Sequence, residues 1–91
     1  MKIYWHNNSK NIIGPKVKEA RQNANPIITQ ADLAARLEVM GYNIDRVSIL
    51  KIESGDRFVP DYEVVAIADA LCVSLYWLLG KESNKFYLGK K

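Results

Sequence analysis

The chain has 91 residues, 48 % of them hydrophobic and 25 % charged, with a formal net charge of +3. That length accommodates one domain with a modest core, and the balance of residues is that of an ordinary globular protein. A single cysteine excludes an intramolecular disulfide framework and a multi-cysteine zinc pattern, and no apolar run reaches the roughly 18 residues that a membrane span needs.

The charge is compatible with a phosphate-bearing partner without requiring one. The first ten residues are polar and aromatic and lack the apolar centre of a signal peptide. Cys72 falls in an apolar run and is expected as a small core residue in a reduced, intracellular setting.

Five helices are predicted from their start and stop signals. The first opens at Gly14-Pro15, since proline suits the first helical position. Ile13, Val17, Ala20 and Ala24 recur on one face of it. The second opens at Thr29-Gln30-Ala31-Asp32, a capping-box pattern, and Leu33, Ala34, Leu37 and Met40 form its expected buried face before Gly41 stops it. Tyr42, Asn43 and Ile44 form a connection. Asp45 is then placed to cap a third helix that turns Ile49 and Ile52 inward and ends at Gly55.

Residues 56–60 read as a loop. Asp61 is expected to cap a fourth helix with Val64 or Val65, Ala68 and Leu71 facing inward, and Ser74 to cap a short fifth, Leu75 to Leu79, stopped by Gly80. Leu33, Leu37, Ile49, Ile52, Ile67, Leu71 and Leu78 are expected to share one core. Lys2-Ile3-Tyr4-Trp5 and Lys85-Phe86-Tyr87-Leu88 have strand-like composition, which fits either short paired strands or loose tails.

In order and joint spacing, several short motifs match one family. They are Ile13-Gly14, Lys16 and Arg21; Thr29-Gln30-Ala31-Asp32-Leu33-Ala34; Ile49, Lys51-Ile52-Glu53 and Gly55; Pro60; Ile67-Ala68 and Ala70-Leu71; and Ser74-Leu75-Tyr76-Trp77-Leu78-Leu79-Gly80. With these the chain resembles the phage-repressor and Cro-type helix-turn-helix proteins, the XRE family, over about residues 13–80. The resemblance implies an all-α, five-helix bundle of the lambda-repressor-like type. It divides the chain into an N-terminal extension (1–12), the DNA-binding domain (13–80) and a C-terminal tail (81–91).

It also implies a cytoplasmic transcriptional regulator, expected to be a repressor, that binds double-stranded DNA as a homodimer without a metal or other cofactor. The recognition helix would span about residues 45–53 and enter the major groove while the preceding helix crosses the phosphates. By position, Arg46, Val47 and Lys51 would reach base edges. Arginine or lysine suits guanine, and valine suits a thymine methyl. Gln30 would contact phosphate or base, Ser48 and Arg57 would position the backbone, and Arg21 and Glu53 would form a partly buried ion pair.

Two features depart from the family. The links between the first and second helices, and between Leu37 and Arg46, are longer than usual, so the turn becomes a loop. Leu50 faces outward in the family's frame. No nucleophile-base pair, paired carboxylates or glycine-rich phosphate loop is present, and the only histidine is His6, so an enzyme is not expected. The alternative to DNA binding is a protein-interaction module, such as an antitoxin-like partner. For that role Trp5, Tyr76, Trp77, Phe86 and Tyr87 supply interface material, although Tyr76 and Trp77 are expected to pack within or beside the last helix.

Overall fold

A computed structural model describes residues 8–82. Five helices follow one another, α1 (Gly14–Asn23), α2 (Gln30–Val39), α3 (Arg46–Ser54), α4 (Asp61–Leu71) and α5 (Leu75–Leu78), and there is no strand among the described residues. The strand-like stretches at 2–5 and 85–88, with Trp5, His6, Phe86 and Tyr87, lie outside the described residues.

The caps explain where the helices start. At α2 the Thr29 hydroxyl accepts from the Asp32 N–H and the Asp32 carboxylate accepts from the Thr29 N–H, both at 3.0 Å. Asp45 accepts from the Ser48 N–H at 2.8 Å to begin α3, and Ser74 accepts from Trp77 N–H to begin α5. α4 differs from expectation. Its cap is Pro60, which has no side-chain acceptor, and Asp61 is the first helical residue. There Asp61 and Glu63 sit in the first turn, where negative charge suits the positive end of the helix dipole.

The ends share one device. After α2, α3, α4 and α5, two backbone N–H groups fold back on the last turn, as in Gly41 to Glu38 and Tyr42 to Leu37, or Cys72 to Asp69 and Val73 to Ala68. This closure needs a left-handed residue. Gly41, Gly55 and Gly80 supply it three times, and at α4 Cys72 does so at φ 59°. That geometry overturns the expectation for Cys72. The residue that reverses the chain turns its side chain out, so the thiol is exposed rather than buried.

α3 lies between α1 and α2, while α4 packs on α2 and α1 and carries α5. All seven expected core residues are buried, with Leu33, Leu37, Ile49, Ile52, Ile67 and Leu78 fully so. Ile13, Val17 and Trp77 join them. Trp77 also takes the Lys16 ammonium 4.4 Å from its ring centroid. Two apolar expectations fail: Met40 lies past the last turn of α2 and is 40 % exposed, and Tyr76 is 65 % exposed. Of the valine pair offered for the inner face of α4, Val64 packs inward and Val65 stays in solvent.

The chain just before α1, within the extension expected at 1–12, is stitched to the end of α3. Lys10 N–H donates to Gly55 O at 2.8 Å. The Asn11 amide donates to Ile52 O and Arg57 O and accepts from the N–H groups of Ile13 and Gly14. Gly14 completes the junction, because a Cβ there would stand 2.5 Å from Ile52 O.

Candidate nucleic-acid interface

α3 is amphipathic, with one face docked on the domain and the other in solvent. Ile49 and Ile52 are buried to within 1 % and fix one face on the domain. The opposite face presents Arg46, Val47, Leu50 and Lys51 to solvent, with Val47 and Leu50 each 48 % exposed and Ser48 half-buried. The side chains of Arg46 and Lys51 make no hydrogen bond or ion pair among the described residues, so both cations are available to a partner.

The orientation of this face is held from beneath by an ion pair. Arg21, on α1, donates through Nε and Nη2 to the two Glu53 oxygens at 2.6 and 2.8 Å, and through Nη1 to Ile28 O at 3.1 Å. The two side chains are only 9 % and 5 % exposed. Gln30, the first residue of α2, adds its Nε2 to Glu53 Oε1 at 3.1 Å. One carboxylate thereby ties together α1, the start of α2 and the end of α3. The bidentate geometry is the one in which guanidinium and carboxylate match best.

Beside the pair lies a shallow depression of about 180 Å³, lined by Lys18, Arg21, Gln30, Leu50, Glu53 and Ser54. The structure thus brings Gln30, Arg46, Val47, Ser48 and Lys51 onto α3 and the adjoining end of α2. Arg57 does not join them as a free cation. Its Nη1 donates to Glu63 Oε1 at 2.9 Å and to its neighbour Phe58 O, so its charge is already paired.

Lys18 is a residue that the sequence reading passed over. It is exposed and unpaired among the described residues, and it lines the depression. Its signal was present, since it precedes Arg21 by one helical turn and so shares that side of α1.

Two carboxylates near the interface are locked by capping. The Thr29 backbone N–H, with its hydroxyl, holds the Asp32 carboxyl below the ordinary range, against a small opposing effect of burial. The Ser48 backbone N–H, with its hydroxyl, does the same for Asp45. Among the described residues no group of three or more His, Cys, Asp or Glu side chains stands where a metal could be held, and no helix is long and apolar enough to cross a membrane. Comparison with protein-family models, with curated proteins and with solved structures found no match to the chain.

Proposed function

We propose that this chain is a sequence-specific double-stranded DNA-binding protein that regulates transcription, as a repressor in the cytoplasm, with α3 as its recognition helix. The observation that carries the reading is the outward face of α3. It holds two unpaired cations, Arg46 and Lys51, around exposed Val47 and Leu50, on a helix whose other face is locked into the core. Such a helix fits a major groove, which admits one α-helix and displays hydrogen-bonding edges and methyl groups. Lys18 and the start of α2 adjoin it and would meet the phosphates, which fix register without specifying sequence. Catalysis and a cofactor form no part of this reading.

Selection of bound duplexes from a random pool, followed by titration of variants on the enriched sequence, tests it. Arg46→Ala should cost about 1–3 kcal/mol and relax the preference at one base pair. Lys18→Ala should weaken all duplexes alike and lower the salt slope by about one. A pool that emerges with no enriched sequence would overturn the proposal.

A further inference from the structure

The outward face of α3 contains a side chain that neither hydrogen-bonding nor phosphate contact accounts for. Leu50 is 48 % exposed, one helical turn after Val47, which is equally exposed. Residues three apart on a helix are surface neighbours, so the two form a continuous apolar ridge between Arg46 and Lys51.

The polar groups around Leu50 are mostly spoken for. Glu53 accepts from Arg21 and Gln30, and the Ser54 hydroxyl donates to Lys51 O. Leu50 therefore offers an approaching base pair only apolar contact. In the major groove one feature rewards that contact, the C5 methyl of thymine, since the other edge groups are donors or acceptors. A leucine pressed against those groups would strip their water and return no hydrogen bond.

Resting on the DNA-binding reading above, we infer that Leu50 is a specificity-determining residue that packs on a thymine methyl, extending the apolar contact begun by Val47. The half-site therefore carries a thymine at a position set by Leu50 rather than by Arg46 or Lys51.

Replacing thymine by uracil removes the methyl and nothing else. Each thymine of the enriched duplex is changed in turn to uracil and titrated against the wild-type protein and Leu50→Ala. Burial of one methyl-sized group corresponds to about a fourfold change in affinity. Wild-type protein should lose about fourfold at one thymine in the half-site, and Leu50→Ala should bind thymine and uracil there equally. With Leu50 half exposed, Leu50→Ala is expected to fold, and an unchanged far-ultraviolet circular dichroism spectrum checks this.

Wild-type indifference to uracil at every thymine would overturn the inference. So would a Leu50→Ala protein that keeps the full uracil sensitivity at every position, because the methyl contact would then belong to Val47 or another residue. Both outcomes leave DNA binding itself intact. The absence of any enriched duplex overturns both readings together.

Discussion

Glu53 accepts three N–H donors from two other helices while its side chain stays 5 % exposed. Removing it strands the Arg21 guanidinium, which keeps only Ile28 O as a partner, in a site largely shielded from water. Glu53→Ala should therefore destabilise the fold by about 3–5 kcal/mol. Arg21→Ala should cost a similar amount, and the double variant much less than the sum, which denaturant titrations of the four proteins would measure. Additive losses would mean that the two charges act independently. This pair was legible in the sequence only through the matched positions on the first and third helices. The third donor, Gln30, was not, because family position suggested DNA for its side chain and said nothing of Glu53. Cys72 was misread for a related reason. Its apolar neighbours suggested burial, but its conformation is set by the chain reversal after α4, where glycine would be the usual signal.

Helix starts were legible where a side chain does the capping, since that chemistry is completed within three residues. Thr29, Asp45 and Ser74 each bond the N–H three positions on. α4 lacks such a cap and its start was misplaced by one residue. The stitching of the chain before α1 was invisible for the opposite reason, because Asn11 donates to carbonyls 41 and 46 residues away. The capping chemistry also makes a pH prediction for α3. The Ser48 N–H lowers the Asp45 pKa in the folded state, so folding favours the ionised form. A depressed folded pKa gives stability that is fully present above the unfolded carboxylate range and is lost as pH falls through the folded value. Thermal melts of wild type and Asp45→Ala should thus differ by a constant amount from neutral pH down to about 5, and converge only at more acidic pH. A gap that instead closed on the alkaline side would exclude the capping carboxylate as its source.

At the scale of the whole molecule, the described domain spends most of its apolar surface internally. Trp77 and Leu78 on α5 are buried in their own domain, and Leu75 and Leu79 are half-buried against it. The short fifth helix therefore leaves Tyr76, rather than a row of large residues, as its exposed apolar group. α5 thus presents little apolar surface to a second copy in free solution. On the proposed DNA-binding reading, the demand for two copies comes from the DNA side. One α3 would offer Arg46, Val47, Leu50 and Lys51 to base edges, enough for a few base pairs. A site of useful selectivity then requires two domains on half-sites about 34 Å apart, one helical turn along the duplex. The prediction is a protein that sediments as a monomer at micromolar concentration and binds its selected duplex as two copies on an inverted repeat. Sedimentation of the free protein, with footprinting and stoichiometric titration of the complex, checks this. Saturation at one protein per duplex over a single uninterrupted footprint would rule out the paired arrangement.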